Sequence, residues 1–428
     1  MNKIVTVSII GCGSRGAMAY GVVFYAEKDK FRITAICDSD GSRVERFARE
    51  WNIQSENAFT DEKAFFAEKR SDILVIATQD RDHVRMCLRA MELGYIVLLE
   101  KPISPVEAEL DSLLAAQKKY DGKVLVCHVL RYAPAFLKVK ELLDLGAIGN
   151  LISIASTEQV GYWHYAHSFV RGNWNNDTET SPMLMQKCCH DLDLIQYYIG
   201  AQCESVFSTG GLTHFVSENR PAGAATRCAD CKYLYTCPYS AERLYVERFR
   251  ADGCPADVWL YNVVCEDVPN TEEKLRAAYR NNRYGRCVYA CDNNVVDHQS
   301  VAMKFENGVT ATLEMIAFTD KMGRKMSFYG DKGEIKFDET EGLFKVNTFG
   351  KPSVSYRFDE LVPENLKNSF GHGGGDYMLI ESLYEMAANG VSAPTSLESS
   401  VESHRIALAA ERSRKCGAVV RVHGDRKE

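Results

Sequence analysis

This 428-residue sequence predicts an α/β fold in two parts, a parallel-sheet domain followed by an α+β domain with a large, mostly antiparallel open sheet. Three observations predict it. Short β-branched runs at 5–10, 31–37, 72–77 and 95–99 alternate with helical stretches, the pattern of βαβ units whose strands are buried on both faces. Past residue 150 the runs become longer and alternating, at 151–158, 300–305, 310–317 and 325–329, as in antiparallel sheets covered on one side. The chain also exceeds what one hydrophobic core usually supports, so two domains are expected, 1–126 and 127–428.

The first strand delivers Gly11-Cys12-Gly13-Ser14-Arg15-Gly16 where a helix should begin, a G-x-G-x-x-G in a strand-turn-helix setting. In such a Rossmann-type turn Gly11 allows the tight bend, Gly13 lets backbone approach a pyrophosphate, and Gly16 lets the helix pack close to the strand. The helix N-terminus offers free N–H groups to the phosphates. The second strand ends in Asp38, at the spacing of an acid that accepts hydrogen bonds from the adenosine ribose and repels a 2′-phosphate. NAD is therefore expected over NADP.

Two further strands lead into Thr78-Gln79-Asp80-Arg81-Asp82-His83 and Glu100-Lys101-Pro102-Ile103. Both loops fall at the carboxyl edge of the sheet, where open α/β sheets bind ligands, so Lys101 is placed to meet the nicotinamide or its substrate. These residues, with Cys127-His128-Val129-Leu130-Arg131-Tyr132-Ala133-Pro134 and Gly146-Ala147-Ile148-Gly149, resemble the glucose-fructose oxidoreductase, inositol dehydrogenase and MocA family. The resemblance covers most of the chain apart from a central insertion. It implies an NAD-dependent oxidoreductase acting on a carbohydrate-like polyol, with the lysine of E-K-P contacting both cofactor and substrate. Candidate cofactor contacts are Gly11, Gly13, Ser14, Arg15, Gly16, Asp38, Thr78, Gln79, His83, Glu100, Lys101 and Arg131. Gln79 stands where family members commonly carry proline.

In the second domain the densest chemistry is Gln186-Lys187-Cys188-Cys189-His190-Asp191, read as a helix. His190 matches the family's active-site histidine. One turn earlier many family dehydrogenases carry aspartate, but here the residue is Gln186, which holds a hydroxyl without accepting its proton. Proton transfer then falls to Lys101 and His190, with Lys187 as a further candidate. The run 162–174 mixes aromatics with hydrogen-bonding groups, so Tyr162, His164, His167, Arg171 and Trp174 are expected to join His190 in the substrate wall. Gly371-His372-Gly373-Gly374-Gly375-Asp376 precedes a helix, with Asp376 as an N-cap.

Fifteen cysteines are many, and only the middle of the chain groups them. Cys228, Cys231 and Cys237 lie in an insertion at about 212–295 and can supply three ligands of a structural zinc, the preferred expectation, with Cys254, Cys287 or Cys291 as the fourth; the alternative is free thiols that pack. An iron–sulfur cluster takes the same number of thiolates, but hydride exchange does not call for one.

Lys and Arg total 51 against 58 Asp and Glu, and the basic residues are dispersed, which excludes a nucleic-acid partner. The N-terminus runs straight into a strand without a cleavable apolar leader, and no run approaches a membrane span, so a cytoplasmic enzyme is expected. The resemblance further implies a homo-oligomer joined through the open sheet. Three functions fit: a polyol dehydrogenase, a redox-neutral glycosidase or anhydrosugar hydrolase that oxidises transiently, and a sensor that binds dinucleotide and sugar without turnover. Lys101 and His190 argue against the sensor.

Overall fold

The computed structural model describes residues 3–255, 258–366 and 371–424. The N-terminal sheet is six-stranded and parallel, ordered β3-β2-β1-β4-β5-β6. Its strands are β1 (Val5–Ile10), β2 (Phe31–Cys37), β3 (Ala58–Phe59), β4 (Ile73–Ile76), β5 (Ile96–Leu99) and β6 (Lys123–Val126). Every residue of β4 is buried, as the unbroken apolar run predicts for a strand covered on both faces. Strand order reverses between β1 and β4, which opens a crevice at their carboxyl ends. The loops after β1, β2, β4 and β5 carry Gly11, Asp38, Thr78 and Glu100, so all four reach this edge.

The second sheet has nine strands, ordered β14-β13-β12-β11-β7-β10-β9-β8-β15. These are β7 (Leu151–Gln159), β8 (Cys203–Gly211), β9 (His298–Phe305), β10 (Thr310–Ile316), β11 (Gly323–Gly330), β12 (Gly333–Asp338), β13 (Leu343–Thr348), β14 (Val354–Arg357) and β15 (Val420–Arg421). Pairing is antiparallel except between β7 and β10. Burial alternates along β9, β10 and β12, with one face packed beneath helices Met183–Ile199 and Leu397–Cys416. The other face exposes Ile152, Phe207, Tyr329 and Val354. β8 and β12 to β15 were not read from sequence; β15 has only two residues, too short to show a period.

The domains are interlaced. Helix Gly375–Asn389 belongs to the C-terminal part yet packs on the first sheet, where Tyr384 meets Phe31 and Glu381 pairs with Lys30 at 2.7 Å. β8 and β9 form one antiparallel pair, with Gly211 opposite His298, so residues 212–297 leave and re-enter the sheet at one point. This segment consists of short helical pieces, joined internally by an isolated bridge between Arg227 and Arg286. No helix among the described residues is long and apolar enough to cross a membrane.

Candidate active site

The three motif glycines act differently. Gly11 has φ +91°, and a Cβ there would lie 2.4 Å from the Ala77 carbonyl oxygen. A Cβ on Gly16 would lie 2.0 Å from the Gly11 carbonyl oxygen, so the helical run Ser14–Gly21 sits against the turn only because Gly16 has no side chain. A Cβ on Gly13 would meet nothing within 4 Å, leaving backbone and the exposed Ser14 open to a ligand. Asp38 is buried; its Oδ2 accepts the Cys12 N–H at 2.7 Å and its Oδ1 that of Asp40 at 2.9 Å. Arg43 stands 3.9 Å from this carboxylate but is also drawn to Glu266 at 3.1 Å. Open backbone at Gly13 beside a fixed carboxylate fits a dinucleotide whose ribose carries free hydroxyls.

Arg15, expected among the cofactor contacts, is committed elsewhere. Its Nε donates to Glu100 at 2.8 Å and its Nη2 to Asp376 at 2.8 Å and to Tyr20. Burial pushes the Glu100 carboxyl up, but Arg15 and Lys101 outweigh it and hold the group below the usual range. Asp376 accepts from Arg15 as part of this tie between the domains; its side chain caps no N–H of its own helix, contrary to expectation. Arg131 is likewise structural: Nε and Nη2 reach Asp193 at 2.7 and 2.5 Å, and Nη1 reaches the Pro394 carbonyl. His83 is buried between the Pro102 carbonyl at 2.8 Å and the Thr78 carbonyl at 3.2 Å, so it braces the two edge loops. Thr78 is partly exposed at this edge and Gln79 exposed.

Lys101 follows Glu100, precedes a cis peptide to Pro102, and donates from Nζ to the Gln186 carbonyl at 3.2 Å. This bond joins the sheet edge to helix Met183–Ile199. The Gln186 amide nitrogen donates to Asp80, which also accepts the Ser181 hydroxyl at 2.7 Å. Burial raises the Asp80 carboxyl despite the opposing charges of His83 and Lys101. Asp80 has a signal in sequence, an acid four residues beyond the buried β4 at a ligand-binding edge, that the motif pattern alone does not single out.

One turn along the helix, His190 is buried with no hydrogen bond at Nδ1. Burial first, then Lys101 and His128, drive its pKa well below the ordinary value, so the ring is neutral at pH 7. It lies in a file of imidazoles, 5.9 Å from His128 and 6.3 Å from His372 between ring centres, and His128 is 5.8 Å from His404. Lys187 points to Glu158 at 3.0 Å, and Arg324 bridges Glu158 at 3.2 Å and Asp191 at 2.9 Å. Glu158, Asp191 and Arg324 are buried; burial raises the Asp191 carboxyl against the pull of Arg324. Glu158 is an acid on the buried face of an alternating strand, a readable signal. Arg324 opens β11 with nothing local to mark it.

The 162–174 segment only partly forms the expected substrate wall. Tyr162 and His164 are partly exposed, and burial with nearby Lys187 keeps the His164 imidazole neutral. His167 is 2% exposed, stacks on Tyr284 at 4.7 Å and bonds to Tyr245 at 3.1 Å. Trp174 packs against Phe169 at 6.4 Å. Arg171 is completely buried and donates to the Arg286 and Tyr239 carbonyls, both at 2.7 Å. His167 and Arg171 thus face the 212–297 segment and are removed from the substrate wall. Their local sequence did not distinguish the two directions because the run coils into a π-helix, Ala166–Arg171, whose partners lie 57 or more residues on.

The structure gives the zinc expectation no support. Among the described residues no group of three or more His, Cys, Asp or Glu is arranged to hold a metal ion, Cys228, Cys231 and Cys237 included. Spacing in sequence did not bring these thiols to the mutual distance one tetrahedral ion requires.

A parallel sheet with a glycine-cradled crevice, closed by an open-sheet domain that brings a helix against Lys101, defines a dinucleotide-dependent oxidoreductase. The chain belongs to the GFO/IDH/MocA oxidoreductase family: the NAD-binding Rossmann-fold model matches residues 5–128 and the C-terminal alpha/beta model residues 140–422. The putative oxidoreductase YteT of Bacillus subtilis strain 168 is 25% identical over 370 residues, 83% of this chain and 82% of that protein. The 2,7-anhydro-N-acetylneuraminate hydratase of Mediterraneibacter gnavus is 24% identical over 209 residues, 49% of this chain and 53% of the hydratase. The structure of levoglucosan dehydrogenase with NADH and levoglucosan has a TM-score of 0.70 at 16% identity, covering 98% of this chain and 100% of that one, a likeness of fold.

Proposed function

We propose that this protein oxidises a secondary alcohol of a sugar, cyclitol or related polyol with NAD. The observation that carries the reading is the contact of Lys101 with helix Met183–Ile199, because it gathers Lys101, Gln186 and His190 beside the glycine-cradled edge. When bound, NAD supplies the hydride acceptor. The Gly11 to Gly16 turn holds its phosphates, and Asp38 accepts from the ribose hydroxyls and repels a 2′-phosphate.

Lys101 Nζ keeps donors beyond its bond to Gln186 and binds the substrate hydroxyl. Gln186 gives its amide nitrogen to Asp80, which leaves Oε1 to accept from a neighbouring hydroxyl of the polyol and so orient the reacting one. His190, held neutral, takes the hydroxyl proton as the carbinol carbon loses its hydrogen. Asp80 and Ser181 are positioning residues that fix Gln186. Lys187, drawn to Glu158, is a further proton-handling group.

The several proton-handling groups also favour a second reading, a redox-neutral hydrolase or hydratase of an anhydrosugar, in which oxidation at one carbon acidifies its neighbour. The similarity to the anhydro-sugar hydratase supports it. Incubating the protein and NAD with free sugars, cyclitols, aryl glycosides and anhydrosugars separates the two. Accumulation of reduced cofactor, abolished in Lys101→Ala, supports the dehydrogenase; product release without net reduction supports the second reading; neither signal across the panel defeats both. The exposed face of the second sheet supports self-association, which sedimentation velocity tests.

A further inference from the structure

The 212–297 segment lines a cavity of about 160 Å³ that the proposed reaction does not use. Cys228, Cys231, Cys237 and Cys287 line it, and so does Arg171. They come from three separate parts of the chain, so no local spacing rule brings Cys287 to the other three. The neighbouring cysteines are elsewhere: Cys254 is exposed, Cys265 donates toward the Asp267 carbonyl at 4.0 Å, and Cys291 donates to the Cys287 carbonyl at 3.3 Å. None of these three lines the cavity.

We propose that this cavity holds a four-iron iron–sulfur cluster ligated by Cys228, Cys231, Cys237 and Cys287, with Arg171 as its buried counter-charge. Thiolates sharing one zinc, each about 2.3 Å from it, stand roughly 4 Å apart. No group of three described donors is arranged around one ion in that way. In a cubane cluster each iron takes a single cysteine and sulfides fill its other positions, so the four thiolates stand around a body several ångström across. Four cysteines that share the wall of one void, with no three of them gathered around a single ion, suit the second arrangement better than the first.

Arg171 is an independent observation. It is completely buried, and its hydrogen bonds from Nε and Nη2 go to neutral carbonyls, with Nη2 3.5 Å from the Cys228 sulfur. No carboxylate pairs with it among the described residues, and Nη1 is buried without a hydrogen bond. Buried charges are normally paired, and a cluster with four thiolates carries the missing negative charge together with sulfur acceptors for N–H groups. The role this assigns is structural: the cluster ties the 228–237 loop and the turn at Cys287 to the π-helix that ends at Arg171, in a segment with one isolated β-bridge of its own among the described residues.

The test is metal and sulfide analysis of the full chain purified without oxygen. About four iron and four acid-labile sulfides per chain are expected, with a broad visible absorbance that dithionite bleaches. Cys254→Ser should keep this content and Cys287→Ser should lose most of it. The wild-type stoichiometry decides even where the second variant fails to fold. One equivalent of zinc without sulfide overturns the proposal, as does the absence of a cluster after anaerobic reconstitution with ferrous iron and sulfide.

Discussion

The sheet edge and helix Met183–Ile199 supply the two sides of the same crevice, but they are held by different means. At the edge the residues are fixed by backbone: Gly11 by its positive φ, Gly16 by contact with a carbonyl five residues before it, Asp38 by the N–H groups of Asp40 and, from the neighbouring loop, Cys12. On the helix, side chains are held by partners far away in sequence, Lys187 by Glu158, Asp191 by Arg324, Gln186 by Asp80. Changes at the edge should therefore impair binding or turnover while leaving the fold standing, whereas changes behind the helix should reach the chemistry through stability.

Lys101→Ala is the sharpest form of this contrast. Loss of a group that binds and exchanges the substrate proton should lower kcat by about 10²- to 10⁴-fold. Dinucleotide affinity, read by fluorescence titration, and the urea midpoint should change little, because Lys101 is partly exposed and makes one hydrogen bond from its side chain. A collapse of the urea midpoint would place Lys101 with the structural residues and erase the distinction.

Arg324→Met probes the other side. It leaves the buried Asp191 without its cation and Glu158 with Lys187 alone, and breaking a buried pair from one side costs about 3–5 kcal/mol. Urea unfolding should show that loss, and adding Asp191→Asn should recover a large part of it by removing the stranded charge. Equal destabilisation in the single and double variants would mean that Arg324 acts through packing and not through its charge.

The same contrast explains what was readable beforehand. The glycine turn, Asp38 and Lys101 could be located because strand, turn and acid follow one another within short stretches of an apolar pattern. Arg131, His167 and Arg171 misled for the opposite reason: each belongs to a polar or aromatic stretch that resembles a binding surface, yet its partner, Asp193, Tyr245 or the Tyr239 carbonyl, is contributed by a distant segment. Cys287 could not be chosen over Cys254 or Cys291 for that reason either; only the folded 212–297 segment puts it on the wall with Cys228, Cys231 and Cys237.

Asp38→Asn tests the edge at smaller amplitude. Replacing the carboxylate weakens charge-assisted hydrogen bonds to the ribose and removes repulsion of a 2′-phosphate, together worth about 1.5–3 kcal/mol. The ratio of kcat/KM for NAD to that for NADP should fall by roughly 10- to 100-fold, with Arg43, 3.9 Å from the carboxylate and paired with Glu266 at 3.1 Å, as the nearby cation that a phosphate would compete for. An unchanged ratio would show that Asp38 serves only the Cys12 and Asp40 N–H groups.

The smallest effect is a slope. His404 is buried, accepts the Ile103 N–H on Nε2 at 2.8 Å and faces the Ser400 carbonyl from Nδ1 at 2.9 Å, an arrangement that requires the neutral ring. Burial, with His128 beside it, lowers its pKa from 6.5 to about 3. Between those values the unfolded chain binds a proton that the folded chain does not, so stability rises with pH across this window, is complete above it and is lost as pH falls. One such histidine contributes about 1.4 kcal/mol per pH unit. His404→Gln keeps an acceptor for Ile103 and removes the titration, so the slope of unfolding free energy between about pH 4.5 and 6 should flatten by that amount. His167, lowered to about 3 by burial and Arg171, adds an equal contribution from the other region. If His404→Gln leaves the slope intact, acid sensitivity is concentrated in the 212–297 contacts, and the file of histidines behind the crevice is stable to protonation.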